Sequence, residues 1–187
     1  MASVIGVVGP IGSGKDTVSD YIAKKYGYTI VSYRDIVREE TEKAGMEPTR
    51  ENLQKIGGGY REKYGDDYFA KKVMEKAKHL EKVVLKDMRR SSDVSVPKQY
   101  FKSEMIIILV EANEKTRLER MKERSRLSDP HTMEELRKQE TREKELHFTD
   151  SFSMADVKIE NKGSLEDLYR KIDQIMKDKM GYDTGKK

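Results

Sequence analysis

The sequence predicts an α/β three-layer sandwich, a five-stranded parallel sheet with helices on both faces. Three observations carry that prediction. Short β-branched or apolar runs recur at residues 3–8, 28–32, 82–86, 105–110 and 157–160, and helical patterns fill most of the stretches between them. The first run leads straight into a glycine-rich turn, Gly9-Pro-Ile-Gly-Ser-Gly-Lys-Asp-Thr17, which opens a helical pattern. Strands joined by helical crossovers pair in parallel and need cover on both faces. Right-handed crossovers set the carboxyl ends of the strands along one edge, where open α/β sheets bind ligands.

Taken in order, the strand at 3–8 and the helix expected at 15–26 frame the glycine turn. That context is what a phosphate-binding loop requires. Glycines let successive backbone N–H groups converge on a polyphosphate, and the N-terminus of the following helix adds partial positive charge. Lys15 would reach the outer phosphates as a point charge. The position after the lysine, where a Ser or Thr hydroxyl would bind magnesium, holds Asp16, and Thr17 follows one place late.

The strand at 28–32 runs into Ser32-Tyr-Arg-Asp35-Ile-Val-Arg38 and a helix expected at 35–43. Asp35 and Arg38 lie one helical turn apart and face the same side, as a solvated ion pair or as a carboxylate and an anion-binding guanidinium in one cleft. Between 52 and 66 the chain holds three consecutive glycines, Gly57 to Gly59, which either loosen a loop or admit a ligand or backbone closely. Gln54 and Arg61 flank them as weaker acceptor-site candidates. A helix is expected at 66–80. The strand at 82–86 ends on Lys86-Asp87-Met-Arg89-Arg90, with an acidic residue placed to hold hydrated magnesium or an acceptor hydroxyl.

Helices are next expected at 113–124 and 132–145. Arg117, Arg120 and Arg124 fall at i, i+3 and i+7, so three guanidinium groups share one face of the first of these. Glu114, Glu119 and Glu123 are interleaved, as on a salt-bridged surface helix. Phosphoryl transfer uses such cations, because its transition state spreads charge over the phosphoryl oxygens. Arg126 and the Ser-Asp-Pro sequence just beyond form a candidate mobile lid at 124–133. After the strand at 157–160, Ser164-Leu-Glu-Asp167 forms a capping box for a helix at 164–179, whose stripe of Leu165, Leu168, Ile172, Ile175 and Met176 serves packing. Residues 181–187 read as a frayed polar tail.

With 187 residues the chain fits one domain. Lys and Arg outnumber Asp and Glu by only 38 to 34, spread along the sequence, so a nucleic-acid partner is not expected whereas small anions are. Cysteine is absent, which excludes disulfides and thiolate metal sites, and the histidines at 79, 131 and 147 lack metal-ligand spacing. The apolar run at 105–110 is far short of the ~20 residues of a membrane span. A cytoplasmic protein is expected; its oligomeric state is not encoded in these patterns.

Together these segments resemble the nucleoside-monophosphate-kinase-like branch of the P-loop NTPases, over nearly the whole chain. Residues 9–17 look like the glycine loop of adenylate and deoxynucleotide kinases. Ser32 to Arg38 is similar to the Ser/Thr-x-Gly-Asp-x-x-Arg acceptor motif of adenylate kinases, with Arg34 in place of glycine. Residues 154–168, Met-Ala-Asp-Val-Lys-Ile-Glu-Asn-Lys-Gly-Ser-Leu-Glu-Asp-Leu, resemble a signature near the end of dephospho-coenzyme A kinases and viral deoxynucleotide kinases, and also archaeal kinase-like proteins of similar length.

The resemblance implies an ATP- and magnesium-dependent kinase with an acceptor-binding insert at 33–80 and a short lid. Gly9, Gly12, Ser13, Gly14 and Lys15 would bind the donor phosphates, and Asp16, Thr17 and Asp87 would place magnesium. Asp35, Arg38, Gln54, Arg61, Asp87 and Arg89 would hold the acceptor. Lys15, Arg120 and Arg124 would neutralise the transferring group, and the carboxylate of Asp35 or Asp87 would assist proton loss from a hydroxyl acceptor. A nucleoside or deoxynucleoside monophosphate is the expected acceptor, with dephospho-coenzyme A as alternative. A nucleotide-hydrolysing switch acting on RNA or protein is the alternative of another class.

Overall fold

Side chains alternate between the faces of a strand, so a doubly covered sheet must carry two apolar sets on each central strand. The computed structural model, which describes residues 3–125 and 129–182, shows that division. The strands β1 (Ser3–Val8), β2 (Thr29–Ser32), β3 (Lys82–Lys86), β4 (Met105–Glu111) and β5 (Val157–Glu160) form one parallel sheet in the order β2-β3-β1-β4-β5. This is the parallel three-layer α/β sandwich that the sequence predicts.

On one face Val4, Val8, Val83, Leu85, Ile107 and Leu109 pack against α2 (Tyr33–Lys43), α4 (Tyr68–Ala77) and α5 (Ser91–Phe101), through Ile36, Phe69, Val73 and Val94. On the other, Ile5, Val7, Val84, Ile108 and Ile159 meet α1 (Lys15–Tyr26) and α8 (Leu165–Met180), through Val18, Ile22, Leu168, Ile172 and Met176. Each such buried side chain contributes about 1.5–3 kcal/mol. A smaller cluster of Leu118, Met121 and Leu136 joins α6 (Glu114–Arg124) to α7 (Met133–Glu145) and includes Ile11 of the glycine turn. Among the described residues no helix is long and apolar enough to cross a membrane.

The chain departs from the sequence prediction at two helices. Residues Arg50–Tyr64 form α3, so the three glycines lie inside a helix and not in a loop. Thr49 caps it by accepting from the Asn52 N–H, while Ile56 and Gly57 are buried. Each glycine costs about 1 kcal/mol relative to alanine, so packing and capping outweigh propensity there. Helix α5 was not expected and runs through Pro97, which has no N–H for the carbonyl of Asp93 four residues back. The buried Tyr33 hydroxyl donates to that carbonyl instead, at 2.7 Å.

Smaller corrections concern ends. The helix expected at 66–80 is confined to Tyr68–Ala77. Of the expected frayed tail, Tyr182 is anchored: its N–H reaches the Met176 carbonyl and its ring packs edge-on against Tyr26, which gives the terminus a partner the sequence pattern conceals. Residues 183–187, and residues 126–128 of the expected lid with Arg126, lie outside the described residues.

Candidate active site

The glycine turn sits at the carboxyl end of β1, whose neighbours β3 and β4 continue the chain in opposite directions across the sheet. Such a switch point opens a crevice for ligands. Residues Gly9, Gly12, Ser13, Gly14, Lys15, Asp16 and Thr17 are brought together there. Gly12 (φ 76°) and Gly14 (φ 97°) occupy left-handed backbone, where a side chain is strained. Space is equally restrictive: a Cβ on Gly14 would lie 2.5 Å from Nδ2 of Asn161, and one on Gly12 would lie 2.8 Å from the Arg117 carbonyl oxygen.

Lys15 folds back over the turn, with Nζ 3.5 Å from the Pro10 carbonyl. The residue as a whole is part-exposed, yet its ammonium lies in a crowded setting whose desolvation pushes the pKa down, against the opposing pull of Asp16 and Asp87. Arg89 and Glu143 also act on it. An ammonium desolvated in this way gains from the approach of an anion, as a phosphate-binding lysine would.

Beside the turn, Asp16, Ser32, Arg34, Asp35, Arg38, Lys86 and Asp87 line a cleft of about 170 Å³ with no aromatic wall. Helix α2 contributes Arg34, Asp35 and Arg38, the end of β3 contributes Lys86 and Asp87, and α1 contributes Asp16. The Asp35 carboxylate lies 4.0 Å from Arg38, both well exposed. Asp16 pairs with Lys86 at 3.2 Å. Asp87 is held in left-handed backbone (φ 62°) and accepts from Ser32 Oγ at 3.0 Å. A residue with a Cβ in that conformation is uncommon and is maintained only where surroundings compensate. A larger concavity, about 490 Å³, lies along β5 and shares no lining residue with the turn, so it carries no weight for phosphate chemistry.

The remaining predicted residues have other partners. Arg61 pairs with the buried Asp93 at 3.2 Å and covers the Phe69 ring, so its guanidinium braces α3 against α5. Gln54 accepts from Arg142 of α7 at 2.9 Å. Arg89 lies 3.9 Å from Glu143 and stacks over Phe148. Arg124 clamps Asp129 with two nitrogens, at 2.5 and 2.9 Å. Arg120 donates to the carbonyls of Ser13 and Asn161, both at 3.3 Å. The shared helix face of Arg117, Arg120 and Arg124 is real, but Arg117 is 4% exposed and bonded to the carbonyls of Ala112 and Ile11 and to Glu140.

Sequence reasoning missed Arg34 and Lys86 as cleft-lining cations, Asn161 as a neighbour of the glycine turn, and Glu143 near Lys15. Asn161 lies in the segment Asn-Lys-Gly-Ser that precedes α8, so its position before a helix cap was a usable signal; the others depend on packing between distant elements.

The fold and this loop define a phosphate-loop protein of the kinase-like type. Residues 8–137 match the family model described as an AAA domain. The chain belongs to the UPF0200 family: it is 34% identical to a UPF0200 protein of Staphylothermus marinus over 175 residues, covering 93% of this chain and 91% of that one. It is 37% identical to a UPF0200/UPF0201 protein of Archaeoglobus fulgidus over 92% of this chain, and spans about half (54%) of that longer relative. Among solved structures, shikimate kinase from Acinetobacter baumannii is similar in fold (TM-score 0.55, 21% identity, 94% of this chain and 93% of that one). So is a gluconokinase from Sinorhizobium meliloti (TM-score 0.57, 18% identity, 91% and 89%).

Proposed function

We propose that the protein is an ATP-dependent small-molecule kinase, transferring the γ-phosphoryl group to an anionic acceptor bound between α2 and the end of β3. The observation that carries this reading is the charged cleft, lined by Arg34, Asp35, Arg38 and Asp87, opening directly beside the phosphate loop. Gly9, Gly12, Ser13, Gly14 and Lys15 would hold the donor. The left-handed turn at Gly12 and Gly14, which carry no side chains, and the desolvated ammonium of Lys15 fit a polyphosphate. Magnesium takes few protein ligands besides substrate phosphates; no preformed cluster of acidic or imidazole ligands exists among the described residues, and the hard oxygens of Asp16, Thr17 and Asp87 suit it. When bound, the ion would offset phosphate charge.

Arg38 and Arg34 would grip the anionic part of the acceptor. The acceptor oxygen would attack the γ-phosphorus in line as the bond to the β-phosphate oxygen breaks, and ADP would leave. Arg124 would exchange Asp129 for oxygens of the transferring group, while Gln54, Arg61 and Arg89 shape the acceptor side through the contacts given above. The likeness of residues 32–38 to the adenylate-kinase motif makes a nucleoside or deoxynucleoside monophosphate the first acceptor to test. A second acceptor is favoured by a specific feature, the carboxylates of Asp35 and Asp87 in the cleft. A hydroxyl acceptor, such as the ribose of dephospho-coenzyme A, must lose a proton and benefits from a carboxylate, whereas a phosphate acceptor does not need one.

The test is incubation with Mg-ATP and a panel of nucleoside monophosphates, deoxynucleotides and dephospho-coenzyme A, with products identified by mass and by phosphorus NMR. An anhydride product supports the first acceptor and a monoester the second. ADP formed equally without acceptor, and accelerated by RNA or protein, would replace the kinase with a nucleotide-driven switch. Lys15→Ala should abolish transfer while leaving the unfolding curve intact; turnover retained in the folded variant would remove the phosphate loop from the reaction.

A further inference from the structure

The geometry points to Asn161, Arg117 and Arg120 as positioning residues of the donor site, which fix the direction of the Gly12 and Gly14 N–H groups and thereby build the polyphosphate cradle. This rests on the nucleotide-binding reading above. A trans peptide is planar, with its C=O and N–H on opposite sides. Holding the carbonyl of one residue therefore aims the N–H of the next.

Two carbonyls of the turn are held in this way by side chains from outside it. The Ser13 carbonyl accepts from Asn161 Nδ2 at 2.9 Å and from Arg120 Nη1 at 3.3 Å, which turns the Gly14 N–H the other way. The Ile11 carbonyl accepts from Arg117 Nη1 at 3.2 Å, which does the same for the Gly12 N–H. Among the described residues no acceptor meets either of those N–H groups, although the neighbouring Ser13 N–H is bonded to the Pro10 carbonyl. Two unpaired donors set by external braces form a nest for an anion.

The braces are themselves rigid. Asn161 is 5% exposed and Arg117 4% exposed. The Asn161 N–H is bonded to the Glu111 carbonyl at the end of β4, at 2.7 Å, and its own carbonyl accepts from Arg120. The close approach of Asn161 Nδ2 to the Gly14 Cα and of the Arg117 backbone to Gly12 also gives a reason why both positions are glycine: any Cβ would push a brace away. The loop between β5 and α8, distant in sequence from the turn, thus becomes part of the phosphate site.

The test is titration calorimetry of the full chain with ADP, inorganic tripolyphosphate and adenosine, on the wild type and on Asn161→Asp, Asn161→Ala and Arg120→Ala, with urea unfolding as the check of folding. Asn161→Asp puts an acceptor against the Ser13 carbonyl and should weaken ADP and tripolyphosphate roughly tenfold to a hundredfold, the value of a hydrogen bond to a charged group, while adenosine is unaffected. Asn161→Ala and Arg120→Ala should each give a smaller loss in the same two ligands, and they serve if the aspartate variant does not fold. Folded variants binding ADP as tightly as wild type would overturn the inference, and so would a parallel loss of adenosine, which marks a general distortion. Failure of the wild type to bind ADP or tripolyphosphate would instead defeat the nucleotide reading itself.

Discussion

Replacing Asp93 by alanine should be among the most damaging single changes in this protein, although Asp93 touches neither the phosphate loop nor the cleft. Its side chain is 1% exposed and accepts from the N–H groups of Arg89 (2.9 Å) and Arg90 (3.1 Å) and from Arg61 Nη2 (3.2 Å). Alanine would leave two backbone donors at the start of α5 without an acceptor, a loss of the kind that costs about 1 kcal/mol at a helix cap. It would also strand the Arg61 guanidinium, 11% exposed, without its counter-ion. Breaking a buried pair from one side costs about 3–5 kcal/mol. The two losses overlap, so a total of about 4 kcal/mol is expected, which in a domain of this size lowers the melting temperature by roughly 8–16 °C. Urea and thermal unfolding of Asp93→Ala, Arg61→Ala and the double variant measure it. The double variant should cost clearly less than the sum of the singles, since no unpaired charge remains. A loss below about 1 kcal/mol, no larger than that of the exposed Asp66–Arg90 pair when Asp66 is removed, would refute the view that this ion pair braces α3 against α5.

Two further outcomes follow from the same contacts. Burial works against ionisation of Asp173, but hydrogen bonds from Lys25, Tyr26 and Tyr21 outweigh it and hold the carboxyl below its ordinary value, so its stabilisation is present above about pH 4 and lost as pH falls through the folded value. Asp173→Asn should therefore cost about 1–2 kcal/mol at pH 7, with the gap to wild type closing in acid; a gap that persists unchanged at pH 2 would contradict the linkage. Gly58 and Gly59 lie within α3 with nothing within 4 Å of where a Cβ would stand, so Gly58→Ala and Gly59→Ala should each stabilise by about 0.5–1 kcal/mol in unfolding experiments. If either instead lost phosphoryl transfer while gaining stability, that bare face of α3 would be in use by the acceptor.

Much of the fold was legible because its signals are local. Strands β1, β3 and β5 fall at the expected residues, since short runs of β-branched side chains between helical patterns have few other solutions. The capping box Ser164 to Asp167 is where the sequence puts it, and Leu168, Ile172, Ile175 and Met176 of the α8 stripe pack as expected, whereas Leu165, in the first turn, is exposed. Helix α3 was hidden by its glycines and α5 by Pro97, because in both the compensation comes from elsewhere: buried contacts of Ile56 and Gly57, and the Tyr33 hydroxyl on the Asp93 carbonyl.

At the site, the sequence by itself determined the phosphate loop, because glycine spacing, the lysine and the flanking strand and helix are contiguous and their physics acts over a few residues. It also set Asp35 and Arg38 on the helix that follows β2, and Asp87 just past the end of β3, at the binding edge. Only the tertiary structure decided what surrounds them: that Arg34 and Lys86 join the cleft, that Arg61 is engaged by Asp93, and that Asn161, Arg117 and Arg120 brace the loop. Guanidinium and amide side chains reach any of several acceptors, and which one they find depends on the approach of β5, α6 and the loop before α8, set by burial of apolar residues elsewhere in the chain.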